Sequence, residues 1–197
     1  MTGIGRPLMR CCGGILMLTG LLTCTTGPRI PLRTAALFPT LGPKSRCRVA
    51  EPPDKLARGH VVIVTIESVR TPRRIVAIGG DEVEVRGGVV YLNGTSRQTQ
   101  LVRKRTNCHA GVSIRCRCRI HKEHIGDREY LVQALLPINE LTDARCIGLP
   151  DMPRRRLEPE SFFLMADNRD GAVDSRDLGP FARSQIHARV LACSKAR

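Results

Sequence analysis

Residues 162–181, FFLMADNRDGAVDSRDLGPF, set five ionised side chains between 167 and 176, behind an apolar run and ahead of Gly179-Pro180. These are Asp167, Arg169, Asp170, Asp174 and Arg176, with Asn168 and Ser175 among them. A charged turn lying in water would contribute under about 1 kcal/mol. Carboxylates and guanidiniums held against a buried strand instead form directional pairs that fix a loop. The apolar run just before the charges favours the second reading. A second cluster, NCHAGVSIRCRCRIHKEH, holds Cys108, His109, Cys116, Cys118, His121 and His124. Zinc needs about four converging N or S ligands, and these spacings are not those of the common zinc ribbons. A Cys108–Cys116 or Cys108–Cys118 disulfide is the simplest outcome, with free thiols and a metal as the alternatives. No metal site is expected.

The elements that must position these groups are mostly strands. RGHVVIVTIESV (58–69) reads as a β run. Ile75-Val76-Ala77-Ile78 reads as a strand and Gly79-Gly80-Asp81 as a tight turn. Val83 and Val85 alternate with Glu82, Glu84 and Arg86, as on a half-exposed strand. Gly87-Gly88 turns again, and Val89–Leu92 closes a hairpin that ends at Asn93-Gly94. Residues 95–120 are polar and basic without clear periodicity. REYLVQAL (128–135) is a strand and GLPDMPRRRLEPE (148–160) a proline-rich loop. SFFLMAD (161–167) is a buried strand and ARSQIHARVLAC (182–193) a last amphipathic segment. Pro31, Pro39 and Pro43 exclude a long helix over 30–49.

The amino terminus has Arg6 and Arg10, an apolar run from Cys11 to Cys24, then Gly27-Pro28. Basic flank, apolar stretch and breaker are the layout of a targeting segment. The run is about 14 residues against the roughly 20 of a comfortable span, but extension to 8–26 allows a short one. An uncleaved membrane anchor over 1–28 is expected, with the rest of the chain on the far side. Basic residues on both flanks specify orientation only weakly.

The 197-residue chain supports one domain of ordinary size. Its hydrophobic content of 42% suffices for a core, while 3% aromatics and no Trp make that core aliphatic, which leans towards β structure. The net charge of +14 comes from arginines spread along the chain, including 103–105, 115–119 and 154–156. No aromatic RNA-binding motif or zinc-finger spacing accompanies them, so no specific nucleic-acid partner is expected. Nine cysteines leave at least one unpaired within the chain.

PRRIVAIGGDEVEVRGGVVYLNG (72–94) and MADNRDGAVDSRDLGPF (165–181) together resemble bacterial type I signal peptidase, a membrane-anchored serine endopeptidase family. The family's Gly-Asp-Asn-Arg-Asp-Asn-Ser-x-Asp-Ser-Arg stands here as 166–176, and PTLGPKSRCRV (39–49) is similar to its Pro-Thr-Leu strand entry. The resemblance implies that 167–170 and 174–176 lie beside the catalytic site and brace it, with Asp174 and Arg176 paired. It implies a mostly β fold: a curved, antiparallel, barrel-like core over 29–94 and 158–197, with an inserted basic β sub-domain over 95–157. It implies exported preproteins or signal peptides and membrane lipid as partners, and no cofactor. The location it implies is the bacterial inner membrane, with the body on the outer face.

The resemblance also implies a Ser–Lys dyad, in which a neutral lysine takes the proton of the attacking serine. Three residues before Pro39, the nucleophile position, stands Ala36. The lysine position is Arg73, followed by Arg74. The serine that orients the lysine matches Ala172, and the hydroxyl residue two before the nucleophile matches Thr34. Alanine has no nucleophile, and a guanidinium stays protonated. Loss of a nucleophile removes on the order of 10⁶-fold in rate. Counting forward from Ile30-Pro31 instead lands on Thr34 as a substitute nucleophile. Lys44 and Lys55 lie in polar loops and read as solvated. His60 replaces the Asp of the family's Gly-Asp before VVIV and reads as a turn residue. The expected function is signal-peptidase-like with impaired turnover. The rival is a non-catalytic signal-peptide-binding or regulatory relative.

Overall fold

Tight turns set the strand pattern. Gly87 and Gly88 take φ of 55° and 73°, a left-handed pair open to glycine, and they close the hairpin between β5 (Glu82–Arg86) and β6 (Val89–Leu92). The computed structural model describes residues 27–108, 116–136 and 151–194. The expected anchor falls almost wholly outside the described residues. Among those described, no helix is long and apolar enough to cross a membrane.

Seven strands form the main sheet, in the order β1 (Arg29–Pro31), β2 (Arg46–Ala50), β14 (Ile186–Ser194), β3 (Val61–Ile66), β4 (Val69–Ile78), β12 (Ser161–Met165) and β13 (Phe181–Ala182). This sheet curls into a half-barrel. A four-stranded sheet runs β11 (Met152–Arg156), β5, β6, β7 (Thr95–Ser96). A three-stranded sheet runs β10 (Arg128–Leu135), β9 (Arg117–Ile125), β8 (Gln98–Asn107). All ladders between these strands are antiparallel. One short helix, α1 (Ser175–Leu178), follows the charged loop.

The continuous apolar runs in β4 and β12 have a packing cause. Ile75, Phe162 and Leu164 enter one core with Val62, Val64 and Ile186. Val76, Phe163 and Met165 enter another with Val83, Val90, Tyr130 and Val132. Both faces of these strands are therefore buried, and alternation is lost. The strands at 82–96 share a sheet with β11, across the boundary expected at residue 94.

Several expectations are corrected. The aperiodic stretch 95–120 contains β7, all of β8 and the start of β9, which continues to Ile125. β8 is a sheet edge with register shifts and largely exposed described side chains, so it carries no inward apolar face. In β9 the inward positions Cys118, Ile120, Glu123 and Ile125 include a buried charge that masks the pattern. The proline-rich loop contains β11, an edge strand that tolerates Pro153. The run 58–69 is broken at Glu67-Ser68, where φ is 48° and 65°. The segment 182–193 largely becomes β14, inside the main sheet.

Of the expected disulfides, Cys108–Cys118 is formed, and Cys116 is also disulfide-bonded. Sequence reasoning did not pair Cys47 with Cys193. They face each other across β2 and β14, 146 residues apart in sequence. In the chain-entropy picture a loop of that size is worth about 5 kcal/mol.

Candidate active site

The chain enters the site through the loop after β1. Thr34 Oγ1 accepts a hydrogen bond from Ala36 N at 2.9 Å. This local turn holds the Thr34 oxygen on the backbone and leaves its O–H free to donate. The Ala36 methyl is 1% exposed. Its carbonyl accepts from Asn168 N at 3.0 Å, so the Ala36 turn is fastened to the charged loop.

Arg73 reaches the same loop from β4 and is buried. Its Nε and Nη2 donate to Val173 O at 3.0 and 2.6 Å. Its Nη1 donates to Thr71 Oγ1 at 2.8 Å and to Pro72 O at 2.7 Å. All four bonds go to neutral oxygens. Burial lowers the Arg73 pKa, and the attraction of nearby Asp174 opposes this. A guanidinium begins so far above neutrality that it keeps its proton. Ala172 adjoins the carbonyl that Arg73 grips. Ala36 is thus bonded to the charged loop at Asn168 and Arg73 at Val173, next to Ala172, and among the described residues Thr34 makes no hydrogen bond with an amine. Lys44 and Lys55 are exposed, and His60 Nδ1 accepts from Ala57 N at 3.2 Å.

The loop itself is densely tied. Asp174 caps α1, and Asp177 closes the capping box by accepting from Asp174 N. Asp174 accepts from Arg176 Nε at 2.9 Å and Nη2 at 2.7 Å, a bidentate pair, and from Ala166 N at 3.0 Å. Ser175 Oγ accepts from Leu164 N at 2.9 Å, which pins α1 to β12. Asp170 accepts from Leu135 N at 2.6 Å, and Asn168 Oδ1 accepts from Gln133 Nε2 at 2.9 Å. Backbone bonds Gln133 N to Asp167 O and Arg169 N to Gln133 O lace the loop along β10.

Beneath it runs a buried chain of charge. Arg74 Nε and Nη2 donate to Asp167 at 2.8 and 2.7 Å. The Arg74 guanidinium stacks 3.8 Å over the Tyr130 ring. Tyr130 donates to Glu123 Oε2 at 3.0 Å, and Glu123 pairs with Arg169. Two cations and two anions cancel. Burial alone would lower the Arg74 pKa, but Asp167 outweighs it and raises it. Burial, then the Glu123 charge, pushes the Tyr130 phenol well above its ordinary range. Sequence reasoning named neither Glu123, Tyr130 nor Gln133. The available signal was Glu123 at an inward position of β9.

Beside Thr34 lies an apolar groove of about 670 Å³, lined by Ile30, Leu32, Thr34, Ile63 and Pro72 among others. β1, at the edge of the main sheet, contributes to its wall.

A strand-built half-barrel with a braced loop at its rim is the setting of a peptidase-like site. The chain belongs to the signal peptidase family, peptidase S26, whose family model matches residues 8–194. It is a member of the type I signal peptidases, a family that acts on preproteins carrying signal peptides. A comparison with curated proteins found no match.

Proposed function

We propose that this chain engages signal peptides of exported preproteins at a membrane surface, with hydrolysis by the Ser–Lys route disabled. The observation that carries the reading is the Arg73 guanidinium, which donates four hydrogen bonds where the family's lysine stands. It can neither accept a serine proton nor lose one of its own at neutral pH. The nucleophile position offers only the buried Ala36 methyl.

Peptide binding needs neither group. An extended segment can add along the β1 edge through its backbone, with small side chains entering the apolar groove. The brace over 167–176 holds the Ala36 turn, next to the groove's Thr34 wall, through Asn168 N. An anchor over 1–28 would hold the body at the bilayer. The Cys47–Cys193 and Cys108–Cys118 disulfides favour the oxidising outer face.

One observation favours a second reading: Thr34 keeps a hydroxyl in the groove wall. In that case Thr34 is the nucleophile and turnover is slow. A single assay separates the two. The full chain, in detergent, is incubated with a preprotein, and cleavage after a small-x-small site and binding of the signal peptide are both followed. Binding without cleavage supports the disabled reading. Cleavage that disappears in Thr34→Ala supports the threonine. Absence of both binding and cleavage defeats the proposal.

A further inference from the structure

Away from the groove, a second cavity of about 220 Å³ opens between β14 and the turn before β3. His60, Arg128 and Arg189 line one side, and Val61, Val190 and Leu191 line another. Among the described residues no acidic side chain lines it. Arg74 also borders it, but its charge is cancelled by Asp167. Arg189 is half-buried, and its guanidinium makes no hydrogen bond or ion pair among the described residues. Among the described residues Arg128 has only the exposed Asp127, at 3.3 Å, as a counterion.

The donors are held in place. Gly59 has φ of +84°, and a Cβ there would come within 2.7 Å of Arg128 Cγ and 2.9 Å of Ile125 O. Only glycine therefore lets the Arg128 stem lie across this turn. His60 Nδ1 accepts from Ala57 N, so in the neutral ring Nε2 carries the proton and is left as a donor. Burial, then the Arg189 and Arg128 charges, holds the His60 pKa below its ordinary value. The imidazole registers a net positive field, which the exposed Asp127 offsets only in part. Where the resembled family places an aspartate, this chain presents an N–H.

We infer that this cavity is a binding site for a phosphate group, gripped by Arg189, Arg128 and His60. Two guanidiniums and one neutral N–H suit a tetrahedral oxyanion, because forked donors match its oxygens. The phosphate has two possible sources, free phosphate and the phosphodiester of an anionic lipid. The apolar wall at Val61, Val190 and Leu191 leaves room for the ester substituent of the latter.

Calorimetric titration of the full chain with inorganic phosphate, at fixed ionic strength set with chloride, tests the site. Saturable binding is expected, weakened on the order of tenfold or more by Arg189→Gln, since a charge-assisted bond is lost. Arg128→Gln, at an exposed position, should weaken it as well and serves if Arg189→Gln does not fold. No saturable binding by the unmodified chain overturns the inference, as does binding that neither variant weakens. The source is read from vesicles of phosphatidylcholine with and without phosphatidylglycerol, whose difference cancels any contribution of the apolar amino terminus. If Arg189→Gln lowers the phosphatidylglycerol-dependent part several-fold and free phosphate competes for it, the ligand is a lipid headgroup. If only calorimetric binding falls, the ligand is soluble phosphate. Either result supports the site.

Discussion

Arg73 and Arg74 are neighbours on β4 that point to opposite faces of the strand, and they have opposite fates. Arg74 meets Asp167 through two hydrogen bonds, lies on Tyr130 and joins a neutral chain of charge that ends at Arg169. Its surroundings raise its pKa, because the Asp167 attraction exceeds the cost of burial. Arg73 donates only to carbonyl and hydroxyl oxygens, and burial lowers its pKa. One arginine is a compensated brace. The other is a buried cation with no carboxylate bonded to it, at the position where the family resemblance expects a proton acceptor. The contrast teaches that two neighbouring arginines on one strand can have opposite electrostatic fates, one compensated and one not.

Removing the brace should have the largest effect. Arg74→Met leaves Asp167 buried without its counterion, which typically costs 3–5 kcal/mol. Urea unfolding should show a much lower midpoint with an unchanged slope. An unchanged midpoint would mean that the chain of charge is not structural. Glu123→Gln should follow closely, at about 2–4 kcal/mol, since Arg169 is then the uncompensated group. Because Arg74 and Glu123 share Tyr130, the double variant should cost less than the sum of the two. Strict additivity would break the picture of a continuous network.

Arg73→Met should cost far less, within about 1.5 kcal/mol, because its partners are neutral and an apolar side chain of similar length removes a desolvated cation. A loss as large as that of Arg74→Met would erase the distinction between the two arginines.

Arg58 is the intermediate case, half-exposed and bonded to Asp81 at 2.7 Å. Burial would raise the Asp81 pKa, but the bonds from Arg58, Ile78 N and Asn93 lower it below its ordinary 3.8. An acid whose folded pKa is depressed contributes stability above its unfolded pKa and loses it as pH falls through the folded one. The stability difference between the unmodified chain and Asp81→Asn should therefore be constant above about pH 5 and shrink below 3.8. A difference that does not change with pH would remove the ion pair from the account.

Much of the hairpin region could be read from sequence because short turns and alternating valines state their own geometry, as at Gly87-Gly88 and 82–86. The charged loop was legible for a different reason: its ionised residues follow an apolar strand closely enough that they must be paired. The insert was not legible. β8 is an edge strand with no inward apolar face, and β9 hides its period behind Glu123. The Cys47–Cys193 pairing depends on β14 inserting between β2 and β3, a contact across most of the chain that no local pattern encodes. The proposed loss of the dyad at Ala36 and Arg73 rests on family motifs alone. What sequence could not supply was the destination of the Arg73 guanidinium, which requires Val173 to be folded against β4.

The most direct measurement compares cleavage of one preprotein by the unmodified chain and by the triple variant Ala36→Ser, Arg73→Lys, Ala172→Ser. The account predicts that the unmodified chain binds the signal peptide without turnover, and that the variant, with hydroxyl and amine supplied, gains cleavage. Multiple turnovers by the unmodified chain at the rate of the triple variant would contradict it.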